Sequence, residues 1–335
     1  MMPKTTFFKA GALSALVVLT LGCAQPTVTK PASQASIAAH VAAATHAAGA
    51  DLVPLLTLCK PAPAARPAQS ELDSGLRALI DKPPPPPGRA FDNLYFVGAE
   101  WVSAWALKTS DGIILIDALN TQPEAAALIE GGMQKLGLDP SQIKYIIVTH
   151  GHGDHYGGAP YLARKYGAKV VMSDIDWTMT ETRLEFATPV WGAPPQRDIS
   201  VKDADRITLG DTVVTLYVTP GHTRGTLSPV FEVRDGGRTH HAMLWGGTAF
   251  NFGNDVPRLG TYIEATRRMA AIARQQRIDV LVSNHSGYDD TKAKLAKLRT
   301  TQEPNPFVLG TPTVERALRV MGECAQAQRD RFALE

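Results

Sequence analysis

The sequence predicts an α/β fold in four layers: two mixed β-sheets packed face to face, with helices on their outer faces. Three observations predict it. Short apolar runs of strand character recur between Leu94 and Val233, and again at His241–Trp245 and Val280–Ser283. Helical spacing interrupts them at Pro123–Leu136, Tyr161–Tyr166 and Tyr262–Arg277, so the two element types are interleaved. Strand signals crowd the early part, and the chain closes on a long amphipathic stretch, Val314–Arg331. A chain of 335 residues, 44% of them hydrophobic, can build one large domain of this kind.

The first segment, residues 1–23, reads as a signal peptide. Lys4 and Lys9 make a basic start, and Ala10–Leu21 is an apolar run too short to span a bilayer. Leu19-Thr20-Leu21-Gly22-Cys23 has the form of a lipobox, which would make Cys23 a lipidated N-terminus attached to a membrane. Ordinary cleavage after Ala24 is the alternative. Both imply an exported protein, free in the periplasm or lipid-anchored to a bacterial membrane. Export in turn permits a disulfide between the two remaining cysteines, Cys59 and Cys324, against the alternative of two separate thiols.

Residues 24–89 read as an Ala/Pro-rich tether and N-terminal segment. Ala, Thr, Ser and Pro up to about Ala50 suggest a flexible tether. Asp51–Cys59 is apolar enough to dock, and Ser70–Ile80 suggests a short helix with Ser70 as its cap. The five prolines after Lys82 require an extended chain, because proline fixes φ and lacks a donor. Residues 90–335 are expected to form the globular domain. Leu94–Val97 and Val102–Leu107 suggest a hairpin, and Ile113–Ile116, Lys144–Val148 and Lys169–Met172 further strands. Thr212–Val218 and Leu227–Val233 continue the pattern.

Five of the nine histidines follow such runs and sit beside Gly, Asn or Asp. Thr149-His150-Gly151-His152-Gly153-Asp154-His155 concentrates three imidazoles and a carboxylate directly after a buried strand. His222 lies in Thr219-Pro220-Gly221-His222-Thr223, and His285 in Ser283-Asn284-His285. Neutral imidazole is a good zinc ligand and carboxylate a harder companion. Six such groups make two sets of three, the pattern of catalytic zinc sites that keep an open position.

These motifs resemble those of the metallo-β-lactamase superfamily, over roughly Phe91–Leu298. The resemblance implies an αβ/βα sandwich and two Zn²⁺ ions. His150, His152 and His222 would hold the first, and Asp154, His155 and His285 the second, with Asp117 supporting a ligand. Asp154 would also orient the attacking water and move its proton. Many hydrolases of the family place a bridging aspartate where this chain has Leu244–Thr248, which offers none. His155 would supply the missing ligand, an arrangement similar to the third subclass of metallo-β-lactamases. Arg224 departs from the family, standing where proline usually follows Gly-His-Thr. The expected reaction opens an amide or ester bond, with a β-lactam ring first and a lactone or another ester or amide as the alternative.

Trp101, Tyr156, Trp191, Thr248 and Ser286 are the candidate substrate-binding residues. The substrate is expected to be a small molecule and the protein a monomer. Thirty-four basic against 32 acidic residues leave no electrostatic footprint for nucleic acid.

Overall fold

In the computed structural model, which describes residues 31–300 and 304–335, twelve strands form two sheets. The signal-peptide reading and the lipidation of Cys23 lie outside the described residues. The first sheet runs in sequence order: β1 (Gly88–Arg89), β2 (Leu94–Phe96), β3 (Trp105–Thr109), β4 (Gly112–Ile116), β5 (Ile143–Ile147), β6 (Lys169–Ser173) and β7 (Ile199–Val201). It begins antiparallel and turns parallel from β4 onward. The expected hairpin is present, with Leu94 opposite Leu107 and Phe96 opposite Trp105. The second sheet holds β8 (Asp205–Leu209), β9 (Thr212–Val218), β10 (Leu227–Asp235), β11 (Arg238–Trp245) and β12 (Ile278–Ser283). Its one parallel pair is β11 with β12.

Side-chain alternation along the strands builds the layers. Ile114 and Ile116 of β4 point between the sheets and meet Leu216, Phe231 and Leu244 from the other side. Ile113 and Leu115 point outward and pack with Ile129, Met133 and Leu162 of the flanking helices. Met243 and Trp245 of β11 likewise face outward, against Tyr262, Met269 and Met321. Helices Val256–Gln276 and Thr311–Leu334 cover that face. The result is the helix–sheet–sheet–helix sandwich that the interleaved runs predicted.

The structure differs from the sequence reading most at the N-terminus. Gln34–Ala48 is a helix, not a tether, and it starts with a capping box between Ser33 and Ser36. Alanine is the best helix former, and here Ala44, Ala47 and Ala48 let the helix lie close to its neighbours. Ser36 donates to Asp330 at 2.6 Å, and His40 Nδ1 lies 2.7 Å from Glu323 Oε2, both on the C-terminal helix. The compact unit therefore begins at Ala32, well before residue 90. The next α-helix spans Gln69–Ile80, with Ala68 at its N-cap position in place of Ser70. Cys59 and Cys324 are joined by a disulfide.

Helices Asp174–Thr182 and Thr291–Leu298 and strands β1, β7 and β8 were also not read from the sequence. Asp174–Thr182 buries only Asp176 and Trp177, too few apolar positions to show a period.

Candidate metal centre

Four strand ends converge at one edge of the sandwich. Asp117 follows β4, and the His150–His155 segment follows β5. His222 follows β9, and His285 follows β12. Asp117 has φ 63°, a left-handed conformation that aspartate tolerates better than most side chains. Its carboxylate accepts from Thr149 N at 2.7 Å and Thr149 Oγ1 at 2.9 Å, which holds the histidine loop against β4. The glycines after the motif have a steric reason. A Cβ on Gly157 would stand 1.8 Å from the Asn120 carbonyl oxygen, so only glycine lets the short helix Gly153–Tyr156 pack there.

Hydrogen bonds fix which ring nitrogen of each histidine faces inward. His150 Nδ1 lies 2.7 Å from the Gly246 carbonyl, and His222 Nδ1 lies 2.8 Å from that of Ala249. His285 Nδ1 is 3.0 Å from the Trp101 carbonyl, and His155 Nδ1 is 2.8 Å from Asp117 Oδ2. Each of these oxygens can only accept, so each Nδ1 carries a hydrogen and, in the neutral ring, each Nε2 presents a lone pair. The Nε2 atoms of His150 and His222 then face each other at 3.0 Å. Two acceptors at that distance repel unless a cation lies between them.

Ligand atoms of His150, His152 and His222 all lie within 4.8 Å of one another, as do those of His150, Asp154 and His155. His285 is not in that second group, but its Nε2 stands 3.7 Å from Asp154 Oδ2. His155 Nε2 is 3.3 Å from the same oxygen without hydrogen-bond alignment. Neighbouring ligands of a tetrahedral zinc with bonds near 2.0–2.1 Å are roughly 3.3 Å apart. Asp154 Oδ1 and His155 Nε2 are buried and have no hydrogen-bond partner, a costly arrangement in a folded protein. The donor set therefore fits two divalent cations of zinc type, with His150, His152 and His222 around one and Asp154, His155 and His285 around the other.

Electrostatics point the same way. Burial pushes His150 and His222 well below the ordinary histidine range, and neighbouring histidines add to this. Burial also lowers His285, to about 4. Neutral imidazole is the form that binds metal. Burial would raise Asp154, but His155 and His285 outweigh it and hold the carboxyl ionised. Burial would lower His155, but Asp154 and Asp117 on either side raise it to about 10. The two carboxylates thus attract positive charge to this spot, whether from a proton or a metal ion.

A cavity of about 450 Å³ opens over the ligands His152, Asp154, His222 and His285. Trp101 and Trp191 line it, together with Phe186, Tyr288 and Lys292. Three of the candidate substrate residues lie elsewhere. Tyr156 is buried in the core outside the first sheet, and Thr248 lines a separate small cavity. Ser286 spends its hydroxyl on the Glu100 carbonyl at 2.7 Å. Arg224 is mostly exposed, 3.6 Å from Asp255, and does not line the cavity.

The sequence reading missed a second ring of residues. Asn284 donates to Gly246 O at 2.6 Å and Thr149 Oγ1 at 3.0 Å, beside His150. Asp176, almost fully buried, accepts from Gly151 N at 2.9 Å, Gly225 N at 2.9 Å and Thr223 Oγ1 at 2.6 Å. It staples the His150–His152 loop to the His222 loop. Asp176→Ala would leave the Gly151 and Gly225 N–H groups unpaired, at about 1–3 kcal/mol each, so a loss of about 2–6 kcal/mol is expected. Chemical denaturation would show it as a lower midpoint. No motif marks Asp176; its only signal is an acid after the strand-like run Lys169–Met172.

The metallo-beta-lactamase superfamily model matches residues 98–236. Among solved structures, the chain is similar to BJP-1, a subclass B3 metallo-β-lactamase of Bradyrhizobium japonicum. Identity is 30% and the TM-score 0.59, over 70% of this chain and 90% of that one. It is also similar to the native FEZ-1 metallo-β-lactamase from Legionella gormanii, at 26% identity and TM-score 0.61, over 70% and 94% of the two chains. Among curated sequences, it is 26% identical over 204 residues to a hydroxyacylglutathione hydrolase of Rhodopseudomonas palustris strain BisA53. That match covers 60% of this chain and 68% of the relative. The chain spans under half the length, 46%, of two other curated relatives of that description. The family match spans the histidine loop, and the shared fold takes in nine-tenths of a 30%-identical β-lactamase: this chain belongs to the metallo-β-lactamase superfamily, as a metallo-hydrolase of that fold.

Proposed function

We propose that the protein is an exported dinuclear zinc hydrolase that opens a β-lactam ring. One observation carries the choice of substrate. The ligand groups at metal spacing include His155 and, among the described residues, no carboxylate or cysteine from Leu244–Thr248. That set resembles the third β-lactamase subclass more than the thioesterases that use a bridging aspartate. The similarity to subclass B3 structures supports the same choice. The second reading is a lactone, thioester or other ester, favoured by the similarity to hydroxyacylglutathione hydrolases.

When bound, two zinc ions would supply Lewis acidity and lower the pKa of a bound water. The chain supplies the rest. Five histidines and Asp154 would hold the ions, and Asp117 keeps the His155 ring turned so that Nε2 faces inward. Asp154 Oδ1, free of other partners, can take the proton of the attacking water. Water adds to the carbonyl carbon, the C–N or C–O bond breaks, and the proton passes to the departing nitrogen or oxygen. Trp101, Phe186 and Trp191 give the substrate apolar walls and limit solvent.

The test is turnover by purified, zinc-loaded protein of a penicillin, a cephalosporin and a carbapenem, beside a lactone and a thioester. The expected kcat/KM is above about 10⁴ M⁻¹s⁻¹ for at least one β-lactam. Rates orders of magnitude lower, with fast turnover of a lactone or thioester, would establish the second reading.

A further inference from the structure

His152 differs from the other four histidines of the site. Its Nε2 faces outward, 3.3 Å from Glu185 Oε2. A carboxylate only accepts, so Nε2 carries the hydrogen and Nδ1 is the nitrogen left for the metal. Glu185 is largely buried, in the segment 183–198 between helix Asp174–Thr182 and β7.

The same carboxylate has a second partner. Arg258 Nη1 and Nη2 each donate to Glu185 at 2.9 Å, a bidentate pair. Arg258 is buried over the Phe252 ring, at 4.3 Å. Its Nε donates to the Gly221 carbonyl at 2.5 Å, and Nη2 also donates to the His222 carbonyl. One acid thus reaches two ligands of the first centre: His152 through its ring, and His222 through the arginine that holds its backbone. The second centre has no such contact with Glu185.

We propose that Glu185 is a positioning residue for the first metal centre, selecting the His152 tautomer and, with Arg258, seating the His222 loop. This rests on the reading that the two centres bind zinc. Removing the carboxylate frees His152 to rotate or change tautomer. It also leaves the Arg258 charge uncompensated beside the ion. Partners of this kind are typically worth 10–100-fold in metal affinity.

The experiment titrates metal-free wild type, Glu185→Ala and Glu185→Gln with Zn²⁺ against a chromophoric chelator, with melting of each metal-free protein as a control for folding. In Glu185→Ala one of the two zinc affinities is expected to fall by about 10–100-fold, with the other changed by less than about threefold. Glu185→Gln should show a smaller loss at the same site, because its amide oxygen can still accept from His152. Should Glu185→Ala fail to fold, the Gln variant carries the comparison. Unchanged affinities, or an equal fall at both sites, overturn the assignment. Wild type that takes up no zinc overturns the zinc reading itself, and this is seen before any variant is measured.

Discussion

Asp154→Ala is expected to lower kcat/KM for the best substrate by at least about 10²–10⁴-fold and to reduce bound zinc from two ions to one. The fold-change is that of losing a positioned proton acceptor. Asp154 is the only carboxylate among the six ligands, so it is the only ligand that carries a formal negative charge. Its Oδ2 stands 3.3 Å from His155 Nε2 and 3.7 Å from His285 Nε2, while Oδ1 has no partner. Alanine removes the anchor of the second set and the proton acceptor together. Asp154→Asn separates the two roles: it keeps the shape and loses the charge. Elemental analysis and steady-state kinetics on both variants check the result. A fully active Asp154→Ala enzyme would contradict the assignment of the site.

The second large effect is on stability. The disulfide between Cys59 and Cys324 closes a loop of 265 residues. Removing a native bridge typically costs about 2–5 kcal/mol, and the chain-entropy model puts long loops near the top of that range. Cys59→Ser with Cys324→Ser should therefore lower Tm by on the order of 5–15 °C. The bridge also bears on the cavity. Leu55 and Leu58 are buried in the core under the C-terminal helix, while Thr57, Leu72, Leu76 and Lys82 form part of the cavity wall. Arg66 sits over Phe186 at 4.3 Å and donates to the Glu185 carbonyl. Loosening this strap should raise KM more than it lowers kcat, since the metal ligands stay in place. An unchanged Tm would mean that burial, not the bridge, holds the segment.

The ligands were legible because their signal is local. His150, His152, Asp154 and His155 are contiguous, and costly polar groups after a buried strand have few structural uses. His222 and His285 stood out because each follows its own apolar run. The sandwich was legible from runs of aliphatic residues that alternate between the two faces, as Ile113–Ile116 does. Other parts depend on contacts far apart in the chain. Arg258 opens an ordinary helix, and Glu185 lies in a stretch without period. Only the fold brings them to His152 and His222. The N-terminal helix read as low-complexity tether because its alanines show no apolar face until the C-terminal helix lies beside them. Thr248 was chosen because the resemblance puts it where the family places a bridging aspartate, and Ser286 because it follows His285. Their strand-end loops turn both hydroxyls away from the cavity.

Six side chains from three strand ends would hold two zinc ions, with Asp117 at the end of β4 supporting them. The most direct measurement is zinc per chain, by elemental analysis of zinc-loaded wild type and Asp154→Ala after removal of unbound metal. The structure predicts two in the wild type and one in the variant. Fewer than two in the wild type, or the same number in both, would contradict it.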